Sequence, residues 1–196
     1  MRTKSRTLPD KNPAISVESG VQQALLPQMR RAYSLYSERR PGQAQKLCDE
    51  TRAAVFDLPE GDERQALEAE WHFLCSLLSV CDADGGLAHM EHAAKLACGK
   101  LTLLKETEPF LFGCQPFALL HWNPGAMAQK RQQLVWLTQL YAAHTHVGTQ
   151  GMLPLFDTEY YRYRGDAERA EMLCFASLHK AKAAHLDVRR CIRRRC

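Results

Sequence analysis

The sequence predicts an all-α protein. Three features point there. From about residue 20 to the end, apolar side chains recur every three or four positions; the apolar-polar alternation of a half-buried strand is almost absent; and short Pro- or Gly-containing turns divide the apolar stretches. At 196 residues, with 45% hydrophobic and 24% charged side chains, the chain is long enough for one domain, or a short array of repeats, with a buried core.

The first helix is expected from Val21 to Glu38, where Leu25, Leu26, Met29, Ala32, Tyr33 and Tyr36 form one stripe and Pro41-Gly42 ends it. The second, Gly42 to Phe56, turns Ala44, Leu47, Cys48, Thr51 and Val55 inward before "DLPEGDE" redirects the chain. The third, Glu63 to Val80, carries Ala66, Leu67, Glu70, Trp71, Leu74, Leu77 and Leu78, and "CDADGG" breaks it. The fourth is expected from Leu87 to Leu104, with Met90, Ala93, Ala94, Ala97, Leu101 and Leu104 inward. Beyond Glu108 the Pro- and Gly-rich "PFLFGCQPFALLHWNPG" allows only a short helix, Pro116 to His121. Asn123-Pro124 is a good start for the next, because Asn caps and Pro at the first helical position forfeits no needed donor. That helix runs to His146 and offers Leu134, Leu137, Leu140 and Tyr141 to the core. A last pair, Met152 to Arg164 and Ala167 to His185, is joined by Gly165-Asp166, with Asp166 placed to cap the second member.

The second members of these pairs share a spacing: Ala44, Cys48, Thr51; Met90, Ala94, Ala97; Ala170, Cys174, Ser177. Compact residues at such positions let a neighbouring helix approach closely. Their offsets fit a unit of about 40 residues with two helices each, a helical-repeat signature longer than the tetratricopeptide unit of about 34. The expected organisation is a basic tail over 1–18, disordered, a tetratricopeptide-like superhelix of about eight helices over 19–188, and an Arg-rich tail over 189–196.

Charge is uneven along the chain. Residues 1–11 hold four basic side chains and one acidic, and "RRCIRRRC" holds five Arg, which leaves four more acidic than basic groups between them. The folded part therefore gives no sign of a polyanion-binding face, and DNA binding is not expected of it. No apolar run reaches the roughly 18 residues of a membrane span, and the start lacks the apolar block of a secretory signal, so a cytoplasmic protein is expected. The eight cysteines, Cys48, Cys75, Cys81, Cys98, Cys114, Cys174, Cys191 and Cys196, include no C-x-x-C pair; most fall on apolar helix faces and read as small buried hydrophobes. A zinc site from Cys75, Cys81 or the His144-x-His146 pair is not expected, because structural zinc spacings are tighter and paired. No metal or other cofactor is assigned.

Nucleotide-binding, nucleophile-elbow and zinc-protease motifs are all missing. His72 lies three residues before Cys75, a spacing that can align a base with a thiol, but Phe73, Leu74, Leu77 and Leu78 around it indicate burial rather than an accessible thiolate. Glu68, Glu70, Asp82 and Asp84 read as a solvated face and a turn. A non-enzymatic protein is expected, and no catalytic residue is assigned. Aromatic residues concentrate in the C-terminal half; Tyr160, Tyr161, Tyr163 and Trp136 are the candidates for rings that line a ligand or partner groove.

From Pro109 onward the chain resembles a known family. Pro109, Phe112, Gly113 and Pro116, then Gly148 and Gly151, then Glu159, Gly165, Ala170 and Glu171, follow in the order found in the tetratricopeptide-like middle region of large LuxR-type bacterial transcriptional regulators of the maltose-activator kind. The resemblance spans about residues 63–190 and is most specific over 109–181. It implies a superhelical arm that senses a protein or small-molecule effector, joined in relatives to an ATPase module and a helix-turn-helix that this chain lacks. Three departures stand out: an extra residue between Gly113 and Pro116, Pro154 within a stretch that is helical in relatives, and "VRRCIRRRC" in place of further repeats. A fragment with an uncovered apolar face, prone to self-association, is the corresponding expectation. The alternative is a stand-alone scaffold that grips a partner peptide.

Overall fold

The computed structural model describes residues 20–79, 82–104, 125–146 and 152–183. It contains seven helices there: α1 (Gly20–Ser37), α2 (Pro41–Phe56), α3 (Asp62–Leu78), α4 (Ala83–Leu96), α5 (Met127–His144), α6 (Met152–Tyr163) and α7 (Ala167–Ala183). No strand occurs among the described residues, where one isolated bridge joins Leu101 to Thr145. None of these helices is long and apolar enough to cross a membrane. The expected helix over 116–121, both tails, and the motif residues Pro109, Phe112, Gly113, Pro116, Gly148 and Gly151 lie outside the described residues.

In three pairs of helices adjacent in the chain, α1–α2, α3–α4 and α6–α7, the two members pack on each other. Helix α3 also packs on α1 and α2, and α5 packs on α4 and α6. This makes α3 the centre: Leu67, Ala69, Trp71, Phe73, Leu74 and Leu77 are all buried, on more than one side of the helix. Fully burying each such large side chain contributes about 1.5–3 kcal/mol. The single stripe that the sequence suggests for α3 missed Ala69 and Phe73 because several neighbours, not one, cover this helix.

The turns are built by two related devices. After α1, Arg39 N–H donates to the Tyr36 carbonyl and Arg40 N–H to the Leu35 carbonyl, at 3.0 and 2.9 Å. After α6, Gly165 N–H donates to Arg162 and Asp166 N–H to Tyr161, at 3.1 and 3.0 Å. Both are the paired bonds that close a helix through one left-handed residue. Gly165, at φ 78°, adopts that conformation freely, whereas Arg39 does so at φ 63° with a side chain attached. Pro41 is the first residue of α2 and not only the stop of α1, and Asp166 caps α7 by accepting from Arg169 N–H at 3.1 Å, as expected.

The fourth helix differs most from expectation. It begins at Ala83, because the Asp82 carboxylate caps it by accepting from Gly85 N–H at 3.0 Å, so "CDADGG" starts a helix as well as ending one. It ends at Leu96, where Ala97 turns extended at ψ 119°, and the inward Leu101 and Leu104 belong to the irregular, bent segment that follows. That segment is held by side chains. Glu70 of α3 accepts from the backbone N–H and hydroxyl of Thr102 and from Leu103 N–H, while Arg30 of α1 donates to the carbonyls of Leu103 and Thr102. Leu101 N–H then reaches the His144 carbonyl at 2.7 Å, and the Lys100 ammonium donates to the carbonyls of Ala142 and Thr145 at the end of α5. Glu70 is thus buried rather than on a solvated face; burial raises its pKa even though its hydrogen bonds to Thr102 and Leu103 and the charge of Arg30 pull the other way.

The shared small-residue spacing holds for α2, where Ala44, Cys48 and Thr51 are all buried. It weakens in α4, where Met90 is buried and Ala94 and Ala97 are half-buried, and fails in α7, where Ala170 is buried but Cys174 is exposed. Cys98 is exposed too, so of the described cysteines only Cys48 is fully buried and Cys75 partly so. Helix α7 packs on α6 alone among the described helices, which leaves its other faces uncovered by them.

Candidate functional site

The residues expected to line a groove lie on two packed helices. Trp136 lies on α5, 45% exposed, and its indole N–H donates to Glu91 of α4 at 2.9 Å. Tyr160 and Tyr161 lie on α6, half-buried and edge to face at 5.2 Å, each beneath a guanidinium, Arg164 over Tyr160 and Arg169 over Tyr161. These rings tie α6 to α7 and its turn. Tyr163 is 43% exposed. Glu159 is buried, Gly165 forms the α6–α7 turn, Ala170 packs inward and Glu171 is exposed. Arg131 joins α5 to α6 through two hydrogen bonds to Asp157, at 2.7 and 2.9 Å.

The suggested pairing of His72 with Cys75 is not assembled. The Cys75 sulfur lies 3.7 Å from that of Cys48, and this hydrogen bond, with burial, pushes the Cys75 thiol up, away from thiolate. Both ring nitrogens of His72 face elsewhere. Its Nδ1 is 2.9 Å from Nδ1 of His89, and its Nε2 is 4.0 Å from the Glu68 carboxylate.

These contacts define a cluster between α3 and α4. Glu68 and His72 are one turn apart on α3, and His89 and His92 three apart on α4, so each pair shares a helix face, and the α3–α4 packing brings the faces together. His92 Nε2 is also 4.0 Å from the Glu68 carboxylate, and the His72 ring lies 4.3 Å from that of His92 and 5.1 Å from that of His89. The Trp71 ring packs edge-on to His72 and His89 at 4.8 and 5.9 Å and carries the Arg52 guanidinium at 5.6 Å. His72 is the more enclosed, with 14% of its side chain exposed against 51% for His92.

The surroundings of His72 and His89 favour their neutral rings. Burial first, and then the repulsion that a charged His72 would meet from His92, His89 and Arg52, holds His72 down to about 4. Burial and His92 also lower His89, against an opposing pull from Asp82. Neutral imidazoles offer a lone pair each, and Glu68, His72 and His92 each place one such ligand atom within 4.8 Å of the others. The sequence carried the signal as Glu68-x3-His72 and His89-x2-His92, but pairing His72 with Cys75 passed over it. Compared with known proteins, this chain matches no family model, no curated protein and no solved structure.

Proposed function

We propose that this chain is a non-enzymatic protein-interaction module of successive helix pairs, tetratricopeptide-like in plan, whose docking surface is the outer face of α7. The observation that carries the reading is the exposure of Met172 and Phe175, 64% and 63%, on adjacent turns of that helix. Ala176 and His179, also exposed, continue the same stripe, while Ala170 packs inward. Large apolar groups grouped in this way are what a docking helix offers. The first occupant we assign to it is a second copy of the chain, because one stripe of this kind complements itself across a two-fold axis. The narrower version, a sensor arm of a LuxR-type regulator, rests on the resemblance over residues 109–181, whose leading motif, Pro109 to Pro116, lies wholly outside the described residues.

The test is sedimentation of the full chain over a wide concentration range, beside a variant carrying Met172→Glu and Phe175→Glu. Association of the native chain and loss of association in an equally helical variant support the reading. A native chain that stays monomeric throughout, or a variant that associates equally, overturns self-docking through this face.

A further inference from the structure

We propose that Glu68, His72 and His92 bind one divalent first-row transition-metal ion, zinc being the best match to the donor set, and that His89 is a positioning residue for His72. The inference is independent of how α7 is used.

The donors come from two packed helices, so their backbones are already in place before an ion arrives. Contacts of 4.0 Å from the Glu68 carboxylate to each histidine, within a triangle no wider than 4.8 Å, leave a central point for one ion. That point is about 2.5 Å from each donor, so a shift of about half an ångström per side chain gives the roughly 2.0–2.2 Å bonds that zinc forms with His and carboxylate. The half-exposed His92 side chain makes most of that adjustment, and the more enclosed His72 and Glu68, 14% and 20% exposed, supply the fixed side of the triangle.

His72 is also oriented as metal-binding histidines are. A ligating imidazole typically donates its second N–H to a neighbour, which fixes the tautomer and aims the other nitrogen. Here Nδ1 of His72 meets Nδ1 of His89 at 2.9 Å, so a proton held on His72 Nδ1 leaves Nε2 as a bare lone pair directed toward Glu68. A lone pair and a carboxylate turned toward one point repel each other unless a cation lies between them. Two imidazoles and one carboxylate suit zinc, cobalt, nickel or copper; calcium and magnesium require more oxygen donors. The half-exposed His92 leaves the ion open to solvent, so water completes its coordination.

The experiment uses the full chain, stripped of metal by chelator and kept reduced, with Co2+ as a visible probe and Zn2+ as competitor. One equivalent of Co2+ binds with four-coordinate ligand-field bands and is displaced by Zn2+. Glu68→Gln and His92→Asn each weaken binding by about 10-fold or more, as loss of a ligand requires. His92 is half-exposed, so its variant keeps the fold, and a circular dichroism spectrum checks this. His89→Phe keeps a ring against Trp71 but loses the acceptor, and weakens binding by about 10- to 100-fold; His89→Asn, whose amide oxygen replaces Nδ1, recovers most of it. Failure of the native chain to bind Co2+ overturns the proposal. So does binding that both ligand variants leave unchanged, with sulfur-to-cobalt charge transfer assigning it to cysteines. The Met172→Glu, Phe175→Glu variant binds Co2+ normally, which separates this result from the fate of the docking surface.

Discussion

Arg30 and Glu70 grip the two poles of one residue: the Arg30 guanidinium donates to the Leu103 carbonyl at 3.0 Å, and the Glu70 carboxylate accepts from the Leu103 N–H at 3.0 Å. A segment with no helix or sheet of its own must satisfy its buried peptide groups elsewhere, and these two side chains, from α1 and α3, do so. Glu70→Gln turns one acceptor into a donor that faces N–H groups. It destabilises the chain by about 1–3 kcal/mol in urea unfolding. Arg30→Ala costs less alone, and a double-mutant cycle of the two shows coupling of about 0.5 kcal/mol or more, because both act on one segment.

The centre of the bundle holds a second polar relay. The Ser76 hydroxyl donates to the Gly86 carbonyl at 2.7 Å, and lies 2.8 Å from the Tyr141 hydroxyl, so the tyrosine donates to the serine. Helices α3, α4 and α5 meet there. Tyr141→Phe removes the bond to Ser76 and costs about 0.5–1.5 kcal/mol, whereas Ser76→Ala removes the bonds to both Gly86 and Tyr141 and costs about 1–3 kcal/mol. Thermal unfolding of the two variants checks the order, and equal or reversed losses contradict the relay.

Arg39 and Gly165 occupy equivalent left-handed positions after α1 and α6. Substituting Gly165→Ala places a Cβ in that conformation and costs about 1–2 kcal/mol, while Arg39→Gly relieves it and is neutral or stabilising by up to about 1 kcal/mol. Chemical denaturation of each variant shows opposite signs if both turns are closed as described.

Cysteine labelling of the native chain, read site by site by mass spectrometry, separates exposed from packed thiols. Cys98 and Cys174 react promptly. Cys48, fully buried, and Cys75, partly buried against it, react only after denaturant is added, because reagent does not reach them in the folded chain. Rapid labelling of Cys75 in the folded chain contradicts this and revives a thiol-based chemistry at that position.

How much of this was legible in the sequence depends on what holds each element. Helices α1, α2 and α3 lie within two residues of the expected bounds at each end, because apolar periodicity and Pro or Gly punctuation act within a few residues. The end of α4 was not legible. Leu101 and Leu104 continue the helical spacing, yet the backbone of Thr102 and Leu103 between them is bonded by Glu70 and Arg30, and Leu101 N–H by the His144 carbonyl, partners tens of residues away. The same limit applies to the site. Glu68 and His72 are a visible i, i+4 pair, but only the packing of α3 on α4 makes His89 and His92 their neighbours. The clustering of Tyr160 and Tyr161 is visible in the sequence, whereas the guanidinium groups of Arg164 and Arg169 over their rings follow from the α6–α7 turn.

If the outer face of α7 docks a second copy of the chain, amide hydrogen exchange across residues 167–179 reports the docking. Exchange is compared at concentrations well below and well above the association range, in the native chain and in the Met172→Glu, Phe175→Glu variant. The account predicts that amides around Met172 and Phe175 slow at high concentration in the native chain alone, while those of α3 stay equally slow throughout. Equal exchange across α7 at both concentrations, or slowing confined to another helix, contradicts it.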